Sequence, residues 1–417
     1  MTSWRARLSA QFQYNAAMIS VSDGQGRILA QVITVAPPEL IPVGRCLGRV
    51  TAEDVRSSMD VPPTDNSAVD GYAVGSRDIP AGGTRELDVV AELAAGAVFP
   101  DLLEPGQALR IMTGAPMPAG ADTVYPQEIV TRESRRVVIP PIARGANVRE
   151  RGEDVKAGAV VLPAGTVLRP QELGVAASLG LAQLLVRQPP RVAILSTGDE
   201  VAEPGGERKP GQIYDSNRFA LRGLAEAAGA QVTDHGIVPD LFDELHARLL
   251  AAAGSADIVL TSGGVSVGDY DLVKAVLQEA GGIDFWQVAM QPGRPIAVGR
   301  IGSAHFFGLP GNPVACMLTF HLFVRPALWK LAGRRELFGP RFHAVALEPM
   351  RKKVGRREFK RGILTYGGER WEVKTTGPQG SGILTSMTCA NCFILIEEER
   401  GDVAAGESVW VEPFTGL

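Results

Sequence analysis

Apolar positions along this 417-residue chain change their spacing several times, and each change marks a new kind of segment. Residues 18–55 carry a helical stripe that stops at Pro37-Pro38, with Gly24 and Gly26 weakening the helix. Residues 88–138 show short β-like runs split by Gly and Pro. Tyr72 and Val74 read as strand ahead of them, and Arg110-Ile111-Met112 as a strand ending in the turn Thr113-Gly114. Residues 168–180 predict a short helix with Pro170 near its first turn. From Arg191 onward strands and helices alternate. Residues 192–195, 231–238, 258–260, 285–290 and 305–309 read as strands. Residues 216–228, 241–253 and 313–331 read as helices. Beyond Gly339 the runs are again short: 344–348, 372–375, 392–397 and 408–411 read as strands between glycine turns.

Strict β/α alternation implies a parallel, doubly wound sheet. Every noted loop in that region follows a strand, so the loops collect on one rim, where open α/β sheets bind ligands. The β-rich end predicts a small barrel or sandwich.

Residues 257–274, DIVLTSGGVSVGDYDLVK, are the stretch around which the rest is organised. Ile258-Val259-Leu260 is too short and too β-branched for a helix, and it breaks at Gly263-Gly264. A helical stripe then starts with Leu272, Val273, Val276 and Leu277. Glycines let backbone N–H groups approach a phosphate, and a helix start favours its charge. Ser262, Ser266, Asp269 and Asp271 add hydroxyls and carboxylates, which suit a phosphate held with a divalent cation. An ordinary βα turn with Asp269 as the helix cap reads the same residues equally well.

Composition narrows the class. The length accommodates two to four domains at roughly 100–200 residues each. With 45% hydrophobic and 21% charged residues the chain has the make-up of a soluble globular protein. A net charge of −4 gives no electrostatic footprint for nucleic acid, so none is expected as partner. No apolar run approaches the ~18 residues of a membrane span. Residues 1–17 carry Arg5 and Arg7 without an apolar core, and read as an extension, not a secretory signal. The four cysteines are too few for a disulfide framework, which favours a reducing, cytoplasmic setting. Cys389-x-x-Cys392 lacks the second pair that zinc needs. Taken alone, Gly152-Glu153-Asp154 reads as a solvated charged turn, and Arg356-Arg357-Glu358-Phe359-Lys360-Arg361-Gly362 as a solvated cationic hairpin.

Eight motifs occur in one order: PPTDNSAVDGYAV, RIMTGAPMPAGADTV, RGEDVKAG, LSTGDE, GQIYDSN, TSGGVSVGD, PGRP and GLPGNP. In that order the chain, from about residue 18 to its end, resembles the MoeA family, which includes the gephyrin E domain. The resemblance implies an α/β plus β subunit. Its parts are a doubly wound, mainly parallel α/β domain (190–336), an elongated β-rich lobe (51–158), a split linker region (18–50 and 159–189) and a C-terminal β-barrel (337–417). It implies a homodimer whose pocket lies between one subunit's α/β domain and the other's lobe. The implied reaction inserts molybdate into adenylylated molybdopterin with Mg²⁺-dependent release of AMP.

On that resemblance, Ser196, Thr197, Gly198, Ser262, Gly263, Gly264 and Ser266 cradle phosphate. Pro310, Gly311, Asn312 and Pro313 close the pterin side. Glu200, Asp240 and Asp271 are the acids of the rim, with Glu200 and Asp271 holding Mg²⁺. Asp65 and Asp154 match acids of the lobe, and Thr113 a threonine at the same interface. Arg149, Arg361 and Ser381 become molybdate contacts, since arginine's paired donors suit oxyanions. Asp70 and Asp215 are expected in turn and helix-cap duty. The chain departs from many relatives at Gln287 and Gln291, where lysines are common, at Arg294 in place of Lys, and at Thr64 and Val69. Two missing cations weaken anion attraction unless Arg294 compensates. Rival expectations are a tungstate-inserting homologue and a non-catalytic gephyrin-like scaffold. Transient contact with cofactor-synthesis enzymes or apo-molybdoenzymes is expected as well.

Overall fold

The computed structural model describes residues 18–33, 35–263, 279 and 282–414. Six strands form the α/β sheet, in the order Gln231–Val238, Arg191–Thr197, Ile258–Ser262, Ala304–Leu309, Pro295–Ile301 and Ile283–Gln287. The first four are mutually parallel. The strict alternation expected from the pattern fails at the other edge, where Pro295–Ile301 runs antiparallel to both neighbours. That strand starts on a proline, contains Gly299 and is joined to the next by Gly302-Ser303, so its pattern reads as loop. Two reversals restore direction, so Ile283–Gln287 ends on the same rim as the parallel strands. Its last residue, Gln287, pairs with Pro295 there.

Alternate residues of each strand feed opposite faces. Val192, Ile194, Ile258, Leu260 and Phe307 pack on one side with Leu221 of the helix Asn217–Ala227, with Phe320 and Phe323, and with Ile28. Ala193, Leu195, Val259 and Phe306 pack on the other with Leu245 and Leu249 of the helix Phe242–Ser255. The helix Pro313–Leu331 is long and apolar enough to cross a membrane by composition alone, yet 78% of that window is buried inside the protein. It is the central core helix, with a π turn at Phe320–Val324.

The helix Val21–Gln31 starts where Ser20 Oγ accepts the Asp23 N–H at 3.0 Å. Gly24 is a packing glycine: a Cβ there would come within 3.1 Å of the Phe323 ring. Val21 and Ile28 place this helix in the α/β core, although the split linker was expected to begin at residue 18. Pro38–Pro42 pairs antiparallel with Gln183–Arg187, and Cys46 and Val55 share a core with Leu162, Leu168, Leu184 and Val186.

The lobe sheet is ordered Thr123–Pro126, Gly71–Val74, Gln107–Ile111, Arg85–Leu93, Arg136–Ile139, Thr131–Glu133. Beside it Asn66–Ser67 pairs with Val148–Arg149. At the C-terminal end Arg357–Tyr366 pairs with both Trp371–Thr375 and Cys392–Ile396, closing a barrel with Phe342–Ala346 and Ser408–Pro413. The cationic stretch expected as a solvated hairpin is part of this long strand, and Phe359, Lys360, Arg361 and Gly362 are buried. Arg356 stays exposed ahead of the strand, while Lys360 pairs with Glu358 at 2.6 Å and Arg361 bonds main-chain carbonyls.

Candidate active site at the strand-end rim

The strand Arg191–Thr197 ends in Gly198, whose φ of 127° lies in the region that favours glycine. A Cβ on Gly198 would sit 2.5 Å from Glu200 Oε2, so the exposed Glu200 carboxylate folds back over this turn. Gly263, at φ 88°, follows Ile258–Ser262, and a Cβ there would fall 2.9 Å from the Thr197 carbonyl oxygen. A Cβ on Gly311 would reach Gly263 Cα at 4.0 Å. Three turns that are remote in sequence therefore touch. Asp240 joins the same rim, where its N–H donates to Asp199 Oδ1 at 3.4 Å.

Several polar atoms at these strand ends and the neighbouring helix start are buried without a partner among the described residues: Ser196 Oγ, Thr197 Oγ1, Thr261 Oγ1 and Asn217 Oδ1. A buried unsatisfied group costs about 1–3 kcal/mol, so each calls for an explanation such as a water, an ion or a bound ligand. Ser262, expected to face phosphate, turns its hydroxyl inward, where it accepts from Asn217 Nδ2 at 2.8 Å and bonds the Cys316 thiol. Burial pushes that thiol up to about 12, so it stays protonated and inert at neutral pH.

Pro310-Gly311-Asn312-Pro313 leads into the central helix with Pro313 as its first residue. The Val314 N–H donates to the Ser381 carbonyl at 3.1 Å, so a barrel loop caps this helix. Arg361 holds that loop. Its guanidinium donates to the carbonyls of Gln379 (3.0 Å), Gly380 (3.0 Å) and Pro378 (3.3 Å), and to Ser386 Oγ (3.0 Å). Arg361 is 1% exposed, and these bonds take four of its five N–H donors. Arg294 and Gln291 are exposed at the same end of the sheet.

In the lobe, Asp65 Oδ1 accepts the Arg151 N–H at 2.7 Å, and Asp154 is exposed with its N–H on the Val61 carbonyl. Arg149 is exposed opposite Asn66. The Thr113 N–H and hydroxyl both donate to Asp70 Oδ1, at 2.8 and 2.7 Å, and these bonds hold Asp70 below the usual carboxylate range. Asp215 caps the helix Asn217–Ala227 through the Arg218 N–H, as expected, and also pairs with the Arg218 side chain at 2.9 Å. Gly264, Ser266, Asp269 and Asp271 lie outside the described residues. Among the described residues no group of three or more His, Cys, Asp and Glu side chains is gathered around a metal-sized space. Glu200 has the hard oxygen donors that Mg²⁺ prefers.

Sequence reasoning left out Asn217 and the buried Arg218, which also pairs with Asp234 at 2.6 Å and with Glu203. Both residues lie in or beside the GQIYDSN motif, which was the available signal.

Residues 19–180 match the family described as MoeA N-terminal region (domain I and II), and residues 343–414 the MoeA C-terminal region (domain IV). Residues 193–330 match a probable molybdopterin binding domain. A molybdopterin molybdenumtransferase of Haemophilus influenzae is 41% identical over 404 residues, covering 96% of this chain and all of that protein. The chain belongs to the MoeA family. Other MoeA relatives are similarly close. Molybdopterin molybdenumtransferase 2 of Mycobacterium tuberculosis is 38% identical over 95% of this chain and 100% of its own length. The crystal structure of a molybdopterin biosynthesis moeA protein from Pyrococcus horikoshii superposes with a TM-score of 0.85 at 31% identity. It covers 95% of this chain and 100% of the archaeal one. As a MoeA protein the chain is an enzyme, and its touching glycine turns lie in the part matching the molybdopterin binding domain.

Proposed function

We propose that the chain acts in molybdenum cofactor biosynthesis by inserting molybdate into adenylylated molybdopterin, with release of AMP. The observation that carries this reading is the convergence of the Gly198, Gly263 and Gly311 strand ends, with the Glu200 carboxylate folded over Gly198. The missing Cβ atoms let these turns close up on one another, and backbone N–H groups at strand-end turns suit phosphoanhydride oxygens. The unpartnered Ser196 and Thr197 hydroxyls beside them are ready donors. Glu200, with Asp271 by its place in the sequence, would hold Mg²⁺, which when bound offsets phosphate charge and polarises the bond to be cleaved. Asp240 stands beside Asp199 to orient water or metal.

The hydrogen bonds of Asp65 and Thr113 run within the lobe, and Asp65, Thr113, Asp154 and Arg149 are all exposed on it. In this reading a second copy of the chain presents these groups across a dimer interface, and the molybdate dianion is met by Arg149, Arg294 and the residual donor of Arg361 near Ser381. The test is direct. Purified protein is mixed with adenylylated molybdopterin, Mg²⁺ and either molybdate or tungstate, and AMP is followed. Oxyanion-dependent AMP release supports the assignment; hydrolysis without oxyanion, or none with either, overturns it.

A further inference from the structure

Asn217 belongs to none of the groups of site residues drawn from the sequence, yet it stands where two of the rim turns meet. It is the first residue of the helix Asn217–Ala227 and is 9% exposed. Its Nδ2 donates to Ser262 Oγ at 2.8 Å and to the Gly311 carbonyl at 2.7 Å. A carbonyl only accepts, so the amide nitrogen must face Gly311. That leaves Oδ1 on the other side, buried and without a partner among the described residues. Scaffold amides normally satisfy both ends, so an amide held with one end unmet points to duty at a site.

The residue is braced from behind. Arg218, next in the chain, is buried and tied to Asp215, Asp234 and Glu203. That network fixes the helix start and hence the reach of the carboxamide. In front, one nitrogen joins the end of the strand Ile258–Ser262 to the Pro310-Gly311-Asn312-Pro313 turn. The ladder already pairs Ser262 with Leu309, and the Gly263 N–H donates to the Leu309 carbonyl at 3.2 Å, so the Asn217 bridge adds the tie that pins the Gly311 turn beyond the ladder.

We propose that Asn217 is a positioning residue of the rim site, whose carboxamide sets the distance between the Ser262 strand end and the Gly311 turn. The inference rests on the reading of the rim as the substrate site. A shift of about 1 Å in such a framework is enough to cost roughly 100-fold in rate. The experiment compares wild type, Asn217→Ala and Asn217→Asp in three measurements: thermal melting, direct binding of adenylylated molybdopterin, and AMP release. Asn217→Asp keeps the volume but turns a carboxylate oxygen toward the Gly311 carbonyl.

Both variants are expected to melt within about 3 °C of wild type. Both are expected to bind about tenfold more weakly and to turn over at least tenfold more slowly, with Asn217→Asp no better than Asn217→Ala. A role in filling space alone predicts the opposite ranking, with Asn217→Asp close to wild type, and that result overturns the inference. So does unchanged affinity and turnover in Asn217→Ala. If wild type binds the nucleotide but releases no AMP, the transfer reading fails while the affinity ratio still decides the role of Asn217.

Discussion

At the scale of single residues, Gly198 and Glu200 make one unit. A side chain at Gly198 meets a backbone at φ 127° and a carboxylate oxygen 2.5 Å from its Cβ. Gly198→Ala is therefore expected to cost about 1–3 kcal/mol of stability and to displace Glu200, lowering AMP release at least tenfold. Melting and steady-state kinetics on the same preparation check both halves. Glu200→Gln separates charge from fold. The side chain is exposed, so stability should stay within about 0.5 kcal/mol. Transfer should fall roughly 100-fold, and normal turnover in this variant would remove Glu200 from the mechanism. Gln291 carries the opposite prediction. It is exposed and near Arg294 in sequence, and Gln291→Lys adds a cation where anions are to be drawn in. An exposed charge pairing contributes up to about 1 kcal/mol net, so the apparent molybdate requirement of cofactor formation should drop about threefold to fivefold. An unchanged molybdate dependence would count against a rim that is short of cations.

At the scale of elements, what the sequence made legible depended on whether burial followed a simple period. The strands Arg191–Thr197 and Ile258–Ser262 are buried on both faces and stand out as apolar runs. Pro295–Ile301 is just as central, but its proline and Gly299 imitate a loop. Gly299 is obligatory there, since a Cβ would lie 2.3 Å from the Gly282 carbonyl oxygen. The strand Arg357–Tyr366 was hidden by charge, because Lys360 and Arg361 are buried with partners that no local pattern reveals. The same limit applied at the rim: its turns were legible as motifs, whereas the Asn217 bridge joins residues far apart in the chain. The central helix offers a quantitative check. Phe323 is 1% exposed in the π turn and lies against Gly24 of the first helix. Phe323→Ala should cost about 3–5 kcal/mol, read from urea unfolding. A loss below 1 kcal/mol would mean that the Val21–Gln31 helix does not depend on this packing.

At the scale of the whole molecule, the joint between the α/β unit and the barrel is ionic at its heart. Glu412 of the barrel is 3% exposed and takes Arg325 at 2.9 Å and Arg341 at 2.8 Å, with His321 on the same oxygen as Arg325. Burial opposes its charge, but the His321 hydrogen bond and the two guanidiniums outweigh it and hold Glu412 down to about 2. Burial also pushes His321 below its ordinary value, against the pull of Glu412. The signs of the two groups agree. An unfolded Glu412 titrates near 4.5, so its contribution is complete above that pH and is lost as pH falls toward 2. Its size is up to about 3 kcal/mol. His321 adds a shallower loss that begins lower than 6.5, because only the unfolded imidazole takes up a proton there. Urea unfolding of wild type should therefore show stability declining below pH 6.5 and more steeply below 4.5. Glu412→Gln should lose about 3–5 kcal/mol at pH 7 by leaving two guanidiniums without their counter-charge, and its stability should fall less steeply below 4.5 than that of wild type, the remaining slope coming from other lowered carboxylates such as Asp70. If the variant follows the wild-type curve through the acid limb, the joint is held by the Phe393 and Phe414 packing around it, and Glu412 is a passenger.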